Sequence, residues 1–244
     1  MERKGLLIVS VGLMLVSLLA LIGFFVLSPM SHSNAAYNKA KAQYYIKQGN
    51  AYFHDGLYAK AIQEYENSLK FVHQIDVYRW LGHAYYKIGD SKNAEIQYQK
   101  FIDMAQGSKE AMRASPGGVL ATNTLSTYVY LAHSYSQERN YDKVIALCNE
   151  GLGINPNHVL LLNNLADAYM NKGLYSEAIA AIEKALAIDQ NLAIVHSTYG
   201  EIYEKMGDYT KALGEFEKIK NDPEFRNYAN TKISKMNEFI KNKP

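Results

Sequence analysis

The stretch Leu162–Ala185, LNNLADAYMNKGLYSEAIAAIEKA, carries the plan of the whole chain. Counted from Leu162, Leu165, Ala166 and Tyr169 fall at offsets of three, four and seven, the spacing of one face of a helix. Gly173 and Tyr175 interrupt the run, and Ala178, Ile182 and Ala185 then resume it. The pattern predicts two helices joined by a tight turn, with small residues where the helices must approach closely.

Versions of this unit recur along the chain. The first carries Gly49, Tyr52, Gly56, Tyr58, Ala61 and Tyr65, and the second Tyr78, Leu81, Gly82, Tyr85, Gly89, Ala94 and Tyr98. Tyr128, Leu131, Ala132, Tyr135, Tyr141 and Val144 mark a third. Leu162–Ala185 belongs to the fourth, and Gly200, Tyr203, Gly207, Tyr209, Ala212 and Phe216 mark the fifth. The small residue of the first helix falls at 49, 82, 132, 166 and 200, in steps of 33, 50, 34 and 34. Self-similarity at such a period predicts a stack of helical hairpins. Gly56, Gly89, Gly173 and Gly207 sit where a first helix ends, a place suited to a left-handed cap; Arg139 stands there in the third unit.

Tyr78-Arg-Trp-Leu81-Gly82-His-Ala-Tyr85, followed by Ala94 and Tyr98, closely resembles the signature of the tetratricopeptide repeat (TPR) family. The resemblance spans 42–226 and implies an all-α, right-handed α-solenoid of about five helix-turn-helix units, near 42–75, 75–108, 125–158, 159–192 and 193–226. The long step leaves an insertion at 109–124, with Lys92–Arg113 read as one extended helix and Ser115-Pro116-Gly117-Gly118 as a loop that splits the array into two units plus three. At 222–244, Asp222 and Pro223 start a capping helix whose apolar stripe is Phe225, Tyr228, Ala229, Ile233, Met236 and Ile240. Such a terminal helix keeps the end of a stack soluble.

Gly5–Ser28 contains no charged residue. About 20 apolar residues suffice to cross a bilayer, and the run exceeds the roughly 7–15 of a cleaved signal's apolar core. The expectation is one N-terminal transmembrane helix at 5–28, acting as a signal anchor, with a linker at 29–41. Residues 1–4, with Arg3 and Lys4, are expected to stay in the cytoplasm, which directs the repeats to the extracytoplasmic, periplasmic side of a cell (inner) membrane. A signal cleaved near Ser33-Asn34-Ala35 and an organelle receptor facing the cytosol are the rival readings.

Lys+Arg number 26 and Asp+Glu 24, too balanced for a nucleic-acid-binding surface. Cys148 is the single cysteine and is expected to be a small buried hydrophobe. His83 and His133 occupy equivalent positions in two repeats, but no further ligand has metal-site spacing. The sequence contains no H-E-x-x-H, C-x-x-C, P-loop or nucleophile-elbow motif. No catalytic residue, metal, cofactor or small-molecule substrate is therefore expected.

What remains is a surface. The resemblance implies a concave groove lined by first helices that receives a protein or peptide. Position by position this selects Asn50 and Phe53; Arg79, Trp80, His83, Tyr86 and Lys87; His133 and Gln137; Asn163, Asp167, Met170 and Asn171; and Glu201. Basic residues gather in the early repeats and acidic ones in the last, which predicts a ligand of mixed charge. The expected function is a non-enzymatic, membrane-tethered scaffold of an envelope complex. The alternatives are an accessory or regulatory subunit of a membrane enzyme or secretion machine, or a periplasmic chaperone-like client holder.

Overall fold

A computed structural model describes residues 34–242, so the apolar run at 5–28 and the anchor read from it lie outside the described residues. All regular structure among the described residues is helical: α1 over 34–54, α2 (Tyr58–Leu69), α3 (Ile75–Lys87), α4 (Ser91–Ala105), α5 (Lys109–Ala114), α6 (Val119–Gln137), α7 (Tyr141–Leu152), α8 (Val159–Asn171), α9 (Tyr175–Ile188), α10 (Ala193–Met206), α11 (Tyr209–Ile219) and α12 (Arg226–Lys241). None of the described helices is long and apolar enough to cross a membrane. They form two compact units, divided between Asp90 and Ser91.

Small residues meeting large rings set the hairpin spacing. In the first unit a Cβ on Gly49 would stand 2.6 Å from the Tyr65 ring, so α1 lies against α2 only because that atom is missing. Around this contact Ile46, Ala61, Ile62, Val77, Leu81 and Ala84 close a core shared by α1, α2 and α3. In the second unit Gly200 of α10 bears the same relation to Phe216 of α11, again with a would-be contact of 2.6 Å. Ala132, Ala166, Ala178 and Ala212 are fully buried at the corresponding seams. Cys148 is also fully buried, and burial pushes its thiol up to about 12, so it packs as a hydrophobe.

The turns repeat one geometry. After α1 the Leu57 amide donates to the Tyr52 carbonyl at 2.8 Å, and after α8 and α10 the Leu174 and Asp208 amides do the same to Tyr169 and Tyr203 at 2.9 Å. This six-to-one closure requires a left-handed residue, supplied by Gly56, Gly89, Gly173 and Gly207 at φ between 74° and 81°. After α6 the Asn140 amide closes onto the Tyr135 carbonyl at 2.9 Å in the same way, but the left-handed residue is Arg139 at φ 58°. The turn is thus retained without its glycine, at the expense of a Cβ crowding the backbone.

The insertion differs from the expected extended helix. α4 ends at Ala105, a single 3-10 turn occupies Gln106–Ser108, and α5 follows as a separate short helix. Gly107 in that turn has poor helix propensity, which favours the break. α5 folds back onto the end of α7: Arg113 Nε donates to the Gly153 carbonyl at 2.9 Å, Lys109 lies 3.7 Å from Glu150, and Met112 is buried. The insertion does not divide the repeats that flank it. α4 packs directly on α6, where Tyr98 stacks on Tyr130 with centroids 6.0 Å apart and the Tyr135 hydroxyl donates to Glu95. The division between compact units falls earlier, inside the second repeat.

At the C-terminus α12 buries Ala229 and Met236 against α11, with Phe225, Tyr228 and Ile233 at the margin. Asp222 caps a turn ahead of the helix, its Oδ1 accepting from the Glu224 and Phe225 amides at 2.9 and 3.2 Å, and α12 itself starts at Arg226. Ile240, assigned to the apolar stripe, is 37% exposed; its neighbour Phe239, 39% exposed, stacks on Tyr209 with centroids 4.6 Å apart.

Two stability outcomes test this packing. Arg139→Gly should raise the free energy of unfolding obtained from urea titration by about 1 kcal/mol, because relief of left-handed strain exceeds the added chain entropy; an unchanged or lower value would contradict it. Ala166→Leu should destabilise by about 1–3 kcal/mol through overpacking, while Lys184→Ala, at an exposed position of α9, should leave the unfolding free energy within about 0.5 kcal/mol.

Candidate functional site

In the first unit the predicted residues Asn50, Phe53, Arg79, Trp80, His83 and Lys87 share a cleft of about 670 Å³ between α1 and α3, which His54, Tyr58 and Tyr65 complete. Its walls are aromatic. Phe53 meets Tyr58 edge-on at 5.2 Å, and Trp80 stacks on Tyr65 at 5.8 Å. The Tyr65 hydroxyl donates to Asn50 Oδ1 at 2.8 Å, so Asn50 braces the wall from an exposed position. The sequence marks Tyr58 and Tyr65 as repeat positions and not as groove residues, because they belong to the second helix of the hairpin; the aromatic residue just after the Gly56 turn is the available signal. Tyr86, also predicted, stands outside the lining.

The same cleft is cationic. Arg79, His83 and Lys87 are spaced by four residues along α3 and therefore share one face of it. Arg79 Nη1 donates to His83 Nε2 at 3.4 Å and Nη2 lies 3.7 Å from Asp76. Burial, then the charges of Arg79 and Lys87, hold His83 down at about 4, so it is neutral at physiological pH and can accept that hydrogen bond. No lining residue is acidic.

The second unit is arranged differently. Gln137 Nε2 donates to His133 Nε2 at 3.1 Å, and Asp167 accepts from Ser136 at 3.2 Å and from Asn171 at 3.1 Å. His133, Asn163 and Asp167 line a small cleft of about 180 Å³ between α6, α8 and α10. Asn163 here and Met170 in the larger cleft that shares Asp167 are only 5% and 4% exposed, so they form floors rather than a reachable surface. Asn163 Oδ1 and Asn164 Nδ2 are buried there without a hydrogen bond. Burial raises the Asp167 carboxyl above its ordinary value, only partly offset by Ser136 and Asn171.

A larger cleft of about 500 Å³ joins Asp167, Met170 and Asn171 of α8 to Glu201 and Glu204 of α10 and to Lys232, Lys235 and Phe239 of α12. Here the expected acidic end of the groove is already met from within the chain. Glu204 is held by Lys232 at 2.6 Å and Lys235 at 2.7 Å, and Glu201 accepts from the Tyr228 hydroxyl. Lys232 and Lys235 belong to the C-terminal capping helix and stand outside its apolar stripe. Their reach across to α10 is a tertiary fact with no local signal.

Among the described residues no group of three or more His, Cys, Asp or Glu is placed to hold a metal ion. Residues 75–107 match a family model described as tetratricopeptide repeat, and residues 135–198 match another with the same description. The structure is similar to that of MamA, with 21% identity over 77% of this chain and 94% of that chain and a TM-score of 0.59. It is also similar to TTC0263, a thermophilic TPR protein of Thermus thermophilus, with 18% identity over 79% of this chain and 98% of that chain and a TM-score of 0.56. At these identities the likeness is one of fold. No curated protein matches the chain.

The α10–α12 contact has a pH signature. Burial alone would raise Glu204, but hydrogen bonds and charge from Lys232 and Lys235 outweigh it and hold the carboxyl below its ordinary value of 4.5. A folded value below the unfolded one means the contact contributes stability above about pH 4.5 and loses it as the pH falls through the depressed folded value. Carboxyl-carbon NMR should find Glu204 titrating below 4.5, and Lys232→Met with Lys235→Met should move it upward; an unmoved titration would show that the lysines do not set it.

Proposed function

We propose, given that the chain is a tetratricopeptide-repeat protein, that it is a non-enzymatic scaffold tethered to a membrane by residues 5–28. In this reading it binds a segment of a partner protein along the first-helix face and so assembles or supports an envelope complex. The observation that carries the reading is the placement of open clefts on first-helix side chains: Phe53, Arg79, His83 and Lys87 in one unit, Asp167, Asn171 and Glu201 in the other. Within each unit these residues come from different helices, so an extended segment could touch several at once. A tether would act by raising the local concentration of such a groove at the bilayer, where even a modest intrinsic affinity becomes effective.

The membrane part of the reading rests on the uncharged run Gly5–Ser28 and on the basic residues Arg3 and Lys4 ahead of it, which favour repeats on the extracytoplasmic side. The family itself supplies interaction surfaces rather than catalytic centres, and this supports the absence of an enzymatic role.

The test is in-membrane photo-crosslinking of the full chain from the exposed cleft residues Lys87 and Asn171, with identification of what attaches. A common protein partner at both positions is expected. Crosslinks confined to residues 106–118 would show that the groove is the wrong surface. Release of the chain from membranes by alkaline carbonate would overturn the tether, and cytoplasmic activity of a reporter fused after Pro244 would overturn the orientation.

A further inference from the structure

The two units differ in what they leave unneutralised. In the second, Glu201 and Glu204 are engaged by Tyr228, Lys232 and Lys235 of the same chain. In the first, the α1–α3 cleft is lined by Arg79 and Lys87 with no acidic residue; Lys87 is exposed, while Arg79 is 16% exposed and lies 3.7 Å from Asp76, which compensates it in part. A cleft of about 670 Å³ is within the range of roughly 300–1,000 Å³ typical of ligand sites.

The spacing of the cations says more than their sign. Arg79 and Lys87 are eight residues apart on one helix, and at about 1.5 Å per residue their backbone positions are separated by about 12 Å. An extended chain advances about 3.3 Å per residue, so that span corresponds to about four residues. Side chains two and four residues apart on an extended chain point the same way. Besides the two cations the cleft offers a different chemistry: His83, midway between them along α3 and uncharged at neutral pH, and the rings of Phe53, Tyr58 and Trp80, which share the lining.

We infer that the α1–α3 cleft takes an internal acidic segment of a partner protein in extended form, with carboxylates at positions i and i+4 on Arg79 and Lys87 and an aromatic side chain at i+2 against Phe53, Tyr58 and Trp80. The carboxylates come from Asp or Glu side chains. A single chain-terminal carboxylate could occupy one end of the span but would leave the other cation unmatched. The inference rests on the scaffold reading and specifies the chemistry of its partner at this one surface.

The experiment is fluorescence polarisation with the full chain in detergent micelles and a labelled, C-terminally amidated peptide carrying Asp at its second and sixth positions, Phe at its fourth, and Ser or Gly elsewhere. This peptide should bind at least tenfold more tightly than its Asn counterpart, than a version with Ser for Phe, and than a peptide whose only carboxylate is its free C-terminus. Its affinity should fall as salt is raised. Lys87→Glu, at an exposed position, should weaken it about tenfold without changing the helical circular dichroism. A peptide with Lys in place of one Asp, tried at both positions, should recover binding on that variant. Equal affinity for the Asn peptide, equal affinity for the free C-terminus, or indifference to Lys87→Glu would each overturn the inference. If the peptides fail while crosslinking from Asn171 still captures a partner, the acidic-segment inference falls and the scaffold reading stands; if crosslinking fails as well, both fall.

Discussion

Every hairpin of this protein depends on how closely two helices can approach. Gly49 and Gly200 lie under the rings of Tyr65 and Phe216 at distances that leave no room for a Cβ, and fully buried alanines hold the other seams. This contact sets the distance at which the rest of the packing works. It lets large aromatic bodies fill a shallow core, and it brings tyrosine hydroxyls within reach of carboxylates on neighbouring helices, as in Tyr85 with Glu66 at 2.9 Å and Tyr128 with Glu150 at 3.0 Å. Tyr65, Tyr128 and Tyr135 thereby acquire a reason: a ring that is buried with its polar tip satisfied serves both packing and register.

The departures from the repeat are absorbed without breaking it. Arg139 adopts the left-handed conformation because the closing hydrogen bond from Asn140 to Tyr135 and the cap of α7 by Asn140, which accepts from the Lys143 amide, over-determine the turn. The insertion is folded into a short helix tied to α7, so the chain leaves the stack and returns to it while α4 and α6 remain in contact. Both are cases in which tertiary contacts override a local preference.

Charge is distributed by the same logic. The α10 carboxylates are matched by lysines of the terminal helix, which therefore covers α11 with one face and neutralises α10 with another. In the α1–α3 cleft, by contrast, His83 is kept neutral by burial and by the cations beside it, and Arg79 and Lys87 line the cleft with no acidic residue among its lining. A partner would thus meet different chemistry in the two units, although the same repeat built both.

The hairpins, their period, the left-handed turns and the Arg139 exception are all legible in the amino-acid string, because each depends on residues close in the chain: a missing Cβ, a 3.6-residue period, a positive φ. The string also marks which side chains of each first helix share a face, so Arg79, His83 and Lys87 could be grouped without coordinates. Which of those residues are reachable was settled by the packing of the helices. Asn163 and Met170 lie in the floors of their clefts, Tyr86 is off the α1–α3 cleft, and Tyr58 and Tyr65 join it from a second helix. Packing also paired the acidic residues of α10, since Lys232 and Glu204 are 28 residues apart and no local rule relates them. Helix geometry is written locally, whereas exposure and charge pairing depend on which distant helix arrives alongside.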